Sequence, residues 1–224
     1  MTPFDLVIFD CDGVLVDSEP ISIAVLVETI EKAGGRINEA DAHRRFLGKS
    51  LKTIRDLLER EDGLVIDEAE LAAMRTRLHA RFERELKPVP GVEAALARLD
   101  CRRCVASSSQ PERIRLTLAI TGLDVFFGDA IFSATMVAEG KPAPDLFLYA
   151  AASMNAAPAQ CLVIEDSVAG IAAAKAAGMR VFAFTGGAHA SGEDYRKSLA
   201  ALDPDAIFDD MQTLPELIAA QGMV

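Results

Sequence analysis

Leu6-Val7-Ile8-Phe9-Asp10-Cys11-Asp12-Gly13 runs from an apolar stretch into two carboxylates and a glycine. A short apolar run bounded by polar residues predicts a strand buried on both faces. Two carboxylates this close repel unless a cation lies between them or one carries a proton. The plainer reading of the same residues is a strand-end Asp followed by an Asp-Gly turn. What else arrives at that strand end decides between the two.

Further apolar runs predict strands at Cys104–Ala106, Ala130–Phe132, Leu162–Ile164, Val181–Phe184 and Ala206–Phe208. Amphipathic stretches lie between most of them, at Gly91–Leu99, Glu112–Leu118, Pro144–Ala152 and Val168–Ala177. Strand and helix in alternation specify an α/β fold with a mainly parallel sheet. Between Phe9 and Cys104 the rhythm breaks, and the chain reads as helices at Ile21–Ala33, Ala40–Phe46, Leu51–Arg60 and Glu68–Leu86. Pro88-Val89-Pro90-Gly91 then punctuates the return. The expected organisation is a core of residues 1–17 and 88–224 with a helical cap at 18–87.

Half of the 224 residues are hydrophobic and a quarter charged, enough apolar material for a core without metal or disulfide staples. The net charge of -11, with no basic cluster longer than a pair, argues against a nucleic-acid partner. An anionic substrate would need a local cation, and a metal ion is the obvious one. The run Leu6–Phe9 is too short for a signal peptide or a membrane span, so a cytoplasmic protein is expected. Cys101-Arg102-Arg103-Cys104 has the spacing of a redox motif but lies where a helix runs into a strand, so ordinary thiols are expected.

Three other segments fall at or near strand ends, where open parallel sheets bind ligands. Ser107-Ser108-Ser109 offers hydroxyls either to phosphate oxygens or to the start of the next helix. Glu139-Gly140-Lys141-Pro142-Ala143-Pro144-Asp145 restrains one lysine between glycine and proline; the lysine either offsets nearby anions or sits in solvent. Glu165-Asp166 ends a strand and suits a hard cation, although Asp166 can equally cap the following helix.

Each segment after its own strand, in this order, resembles the haloacid dehalogenase superfamily along the whole chain. The stretches Phe9–Ser18, Lys141–Asp145 and Glu165–Gly178 carry the likeness. It is to the branch with a cap inserted after the first motif, which includes phosphoglycolate phosphatases and β-phosphoglucomutases. The resemblance implies a Rossmann-like parallel-sheet core with an inserted helical-bundle cap. It also implies a Mg²⁺-dependent enzyme that acts on a small phosphorylated metabolite, as a monomer or weak homodimer.

By that resemblance Asp10 is the nucleophile that becomes an aspartyl-phosphate, and Asp12 protonates the leaving oxygen and later activates water. Ser107 and the Ser108 amide hold a phosphoryl oxygen, and Lys141 offsets Asp10 and the phosphoryl group. Asp10, Glu165, Asp166 and the Asp12 carbonyl hold Mg²⁺. Asp12 also separates the phosphorus chemistry of the family from its carbon chemistry, since the dehalogenases lack an acid/base Asp there. In the cap, Gly48 and Lys49 match the specificity loop, with Arg45 just before it. Leu51 and Ser22 stand where β-phosphoglucomutase carries an Arg and an assisting His, which weighs against a mutase. Arg45–Ile54, Cys104–Ser107 and Asp166–Gly170 are more similar to sugar-acid phosphatases, so a sugar phosphate or sugar-acid phosphate such as 6-phosphogluconate is the expected substrate. Rival readings are a phosphomutase and a non-catalytic phosphometabolite-binding protein. The loop Phe184–His189 follows the fifth strand, and His189 itself reads as structural or incidental.

Overall fold

The computed structural model describes residues 3–46 and 51–221. The chain divides into two compact units: residues up to Asp17 with those from Lys87 onward, and Ser18–Leu86.

The second unit contains helices α1 (Glu19–Lys32), α2 (Glu39–Phe46), α3 (Leu51–Asp62) and α4 (Glu68–Glu85), with no strand among its described residues. Pro20 sits in the first turn of α1, where the missing N–H costs nothing. Asp67 opens α4 by accepting the Glu70 amide at 2.8 Å. Ile23, Leu26 and Ile30 recur at helical spacing and pack with Phe46, Leu58 and Leu71 into a separate apolar core.

The first unit is a six-stranded sheet made of β1 (Leu6–Phe9), β2 (Arg102–Ser107), β3 (Ile131–Ser133), β4 (Cys161–Glu165), β5 (Arg180–Phe184) and β6 (Ala206–Phe208). Every neighbouring pair is parallel and the order is β3-β2-β1-β4-β5-β6. Its helices are α5 (Val92–Arg98), α6 (Pro111–Thr121), α7 (Asp145–Ser153), α8 (Val168–Ala176), α9 (Glu193–Ala200) and α10 (Leu214–Ala220). Leu6 and Ile8 face a core shared with Phe147 of α7, Ile171 of α8 and Leu199 of α9. The alternate residues Val7 and Phe9 are equally buried on the other side. Burial on both faces is why these strands read as unbroken apolar runs. The strand order reverses between β1 and β4, and ligands of such sheets bind at the carboxyl ends beside that reversal.

β2 begins two residues earlier than its apolar run. Arg102 and Arg103 fit there because their guanidinium groups reach backbone carbonyls: Asp5 and Met154 for Arg102, Leu96 and Leu99 for Arg103. Cys104 is fully buried inside β2 and Cys101 precedes the strand; both are free thiols. Burial pushes both thiols up, away from the reactive thiolate, as ordinary cysteines require.

Candidate active site

Asp10 directly follows β1. Its amide still donates to the Ile164 carbonyl at 3.0 Å, which carries the β1–β4 ladder one step further and sets Asp10 beside the end of β4. The chain then turns at Gly13, with φ of +84°. A Cβ at Gly13 would lie 2.0 Å from Asp166 Oδ2 and 2.6 Å from His189 Cε1, so this turn needs glycine twice over.

Lys141 delivers its ammonium between the two strands. Its Nζ donates to Asp10 Oδ1 at 2.6 Å, Glu165 Oε1 at 2.7 Å and the Ala106 carbonyl at 3.0 Å. Those contacts use all three of its protons, and its side chain is 3% exposed. The solvated-loop reading of this lysine therefore fails. Glu165 is equally occupied, because Oε2 accepts the amides of Asp166 at 2.8 Å and Ser167 at 2.7 Å and the Ser167 hydroxyl at 2.9 Å. Gly170 makes room for it, since a Cβ there would fall 1.8 Å from Glu165 Oε1.

Ser167, not Asp166, caps α8 by accepting the Gly170 amide at 3.0 Å. Asp166 is thereby left to the site. Its Oδ2 lies 2.6 Å from His189 Nε2, and its carbonyl accepts the Tyr195 hydroxyl at 2.8 Å. Tyr195 also packs edge-on against the His189 ring, with centroids 5.8 Å apart. Of the structural or incidental role expected of His189, burial against Asp166 agrees with the structural one. No local motif marks it, because the contact depends on how the loop after β5 folds back.

Asp12 points elsewhere. Ser109 Oγ donates to its Oδ2 at 2.6 Å and Arg113 to its Oδ1 at 2.8 Å. Ser109 belongs to the serine segment singled out in the sequence, though not as a partner of Asp12, and Arg113 reads there as one basic residue in the first turn of a helix. The serines do not cap α6, whose N-cap is Gln110 without a side-chain bond. Ser107 is buried at the tip of β2 and accepts the Ser109 amide at 3.1 Å, while Ser108 is exposed.

Oxygens of Asp10, Glu165 and Asp166 lie within 4.8 Å of one another, all three residues buried. Burial drives the Asp10 carboxyl well above its usual range, against the pull of Lys141. Asp166 is driven the same way by burial and by Glu165 beside it. Burial works against the charge on Lys141, yet Asp10 and Glu165 outweigh it and push its pKa up. One ammonium faces three carboxylates, and their oxygen donors suit a hard divalent cation. The Asp12 carboxylate is not one of these three and is engaged by Ser109 and Arg113 instead.

In the helical unit, Arg45 pairs with Glu61 and Asp62, at 3.0 Å and 2.5 Å. Gly48 and Lys49 lie outside the described residues.

Known proteins bear on these findings. The profile of the haloacid dehalogenase-like hydrolases matches residues 4–178. The chain is 30% identical over 223 residues to the 6-phosphogluconate phosphatase of Escherichia coli, covering 99% of this chain and 98% of that protein. A haloacid dehalogenase-like protein of unknown function from Agrobacterium tumefaciens superposes with a TM-score of 0.85 at 39% identity, covering 98% of this chain and 99% of the other. A hydrolase of the same family from Deinococcus radiodurans, crystallised with phosphate and sodium, gives 0.79 at 29% identity, covering 100% and 99%. The chain thus belongs to the haloacid dehalogenase-like hydrolases.

Proposed function

We propose that this protein is a Mg²⁺-dependent phosphatase of a small phosphorylated metabolite, acting through an aspartyl-phosphate on Asp10. The observation that carries the reading is the Lys141 ammonium, buried and bound at once to Asp10 and Glu165. It holds the nucleophile in place and supplies positive charge where an anionic substrate must approach an anionic residue.

Asp10 Oδ attacks phosphorus while the bond from phosphorus to the leaving oxygen breaks, and the Asp12 carboxyl gives that oxygen its proton. The leaving group departs as an alcohol and Asp10 carries the phosphoryl group. Asp12, now a carboxylate, takes a proton from water as the water oxygen attacks phosphorus; inorganic phosphate leaves and Asp10 is restored. Ser107 Oγ and the Ser108 amide bind phosphoryl oxygens at the tip of β2. Asp10, Asp166 and the Asp12 carbonyl are the residues to hold Mg²⁺. Glu165 completes the acidic group, but its oxygens are already engaged and its main work is to anchor Lys141. Mg²⁺ supplies charge neutralisation for the phosphoryl oxygens. His189 orients Asp166 from behind, as partners of metal ligands do.

The full-length likeness to the Escherichia coli 6-phosphogluconate phosphatase makes sugar-acid phosphates the first substrates to try. Gly48, Lys49 and Arg45 of the cap are the residues to read the leaving portion. Four unpaired thiols agree with a reducing cytoplasm, and a monomer or weak homodimer is expected there. None of the described helices is long and apolar enough to cross a membrane.

The test is release of inorganic phosphate from a panel of sugar phosphates, sugar-acid phosphates, phosphoglycolate and nucleotides, with Mg²⁺ and with excess chelator. Metal-dependent release supports the reading. Isomer interconversion without release would make the protein a mutase, and inactivity on every compound would remove the assignment.

A further inference from the structure

Asp12 is held by two side chains that the mechanism leaves without a role. Ser109 Oγ takes Oδ2 at 2.6 Å and Arg113 takes Oδ1 at 2.8 Å, so both oxygens of the carboxyl are engaged. Both partners come from the segment that follows β2. Ser109 is pinned on each side: its amide donates to Ser107 Oγ at 3.1 Å and its carbonyl accepts Ser133 Oγ at 2.7 Å. Its hydroxyl is therefore aimed by fixed backbone. Arg113 stands in the first turn of α6, whose opening residue Pro111 presets the backbone there.

The pair differs from a surface ion pair. Side-chain exposure is 15% for Asp12 and 24% for Arg113, so solvent only partly screens them. Each carboxyl oxygen has a second lone pair besides the one that takes the Ser109 or Arg113 proton, and the proton exchanged with substrate sits on that second lone pair. The two together can hold the Asp12 carboxyl in one orientation whether or not it carries a proton. An acid/base residue needs that, because proton transfer depends first on geometry.

We infer that Arg113 and Ser109 are positioning residues for Asp12, setting the direction from which it meets the leaving oxygen. The inference rests on the phosphatase reading above. Its consequence is selective: a misdirected acid hurts a poor leaving group and hardly touches a good one. A role limited to bracing the loop after β2 lowers activity on both alike.

The experiment compares kcat/KM for phenyl phosphate and p-nitrophenyl phosphate, which share their shape but differ in the basicity of the leaving oxygen. Asp12→Asn gives the scale, and Arg113→Ala, Arg113→Lys and Ser109→Ala are read against it, with folding checked by circular dichroism. We expect Arg113→Ala to lower the phenyl to p-nitrophenyl ratio about tenfold or more, in the direction of Asp12→Asn. Ser109→Ala should follow it, and Arg113→Lys should recover part of the ratio. Equal losses on both substrates in folded Arg113→Ala and Ser109→Ala, with Asp12→Asn selective, would overturn the inference and leave the phosphatase reading intact. An unselective Asp12→Asn would overturn the acid/base role of Asp12 and the inference with it.

Discussion

Lys141 Nζ lies 2.6 Å from Asp10 Oδ1 and shares its remaining protons between Glu165 and the Ala106 carbonyl. The lysine thus ties together the ends of β1, β2 and β4. Replacing it with alanine leaves Asp10 and Glu165 without their shared cation. Lys141→Ala is expected to lower kcat by about 10²–10³, with a native circular-dichroism spectrum. Arginine should not rescue it, because a planar fork does not fit a pocket shaped around a compact ammonium. Steady-state kinetics of the two variants tests this.

Gly170→Ala sets two effects against each other. Alanine improves the propensity of α8 by about 1 kcal/mol, but its Cβ would fall 1.8 Å from Glu165 Oε1. Glu165 must then leave a position in which it accepts from Lys141, two amides and a hydroxyl. The clash should win, lowering the melting temperature by roughly 4–8 °C and kcat with it. A higher melting temperature would mean that Glu165 relocates freely.

His189 touches Asp166 rather than the reacting atoms, so its loss should show first in metal binding. His189→Asn is expected to weaken Mg²⁺ affinity by about 10–100-fold, measured by titration calorimetry. Saturating Mg²⁺ should restore most of kcat. Unchanged affinity would reduce His189 to a packing residue.

Asp166 makes a prediction about the metal-free protein. Its folded pKa lies above its ordinary value because of burial and the Glu165 charge. A group shifted this way lowers stability when ionised, and the folded protein recovers that stability as pH falls through the raised pKa. Without metal, Asp166→Asn should therefore melt higher than the wild type at about pH 8, by a few degrees. The gap should narrow toward acid as Asp166 takes up its proton, and added Mg²⁺ should reverse the order. Melting curves over pH with and without Mg²⁺ read all three outcomes.

The apolar runs marked all six strands, because a parallel strand buried on both faces has no polar residue to interrupt it. Where their bounds differ from the strands it is by one or two residues, most at Arg102 and Arg103, where charge disguises the start of β2. Asp10 and Asp166 were legible because each sits at a strand end in a motif, and Lys141 because glycine and prolines frame it. Arg113 and His189 were not, and Ser109 was legible only as one of three serines, not as a partner of Asp12. Each reaches the site through a contact that depends on three-dimensional packing, Arg113 across 101 positions of sequence. Their neighbours along the chain carry no trace of it.

The most direct test of the account is peptide mapping of enzyme mixed with p-nitrophenyl phosphate and quenched in acid during turnover. A phosphoryl group is expected on the peptide carrying Asp10, at that residue, and none in Asp10→Asn, which should not turn over. A phosphoryl group on another residue, or full turnover by Asp10→Asn, would contradict it.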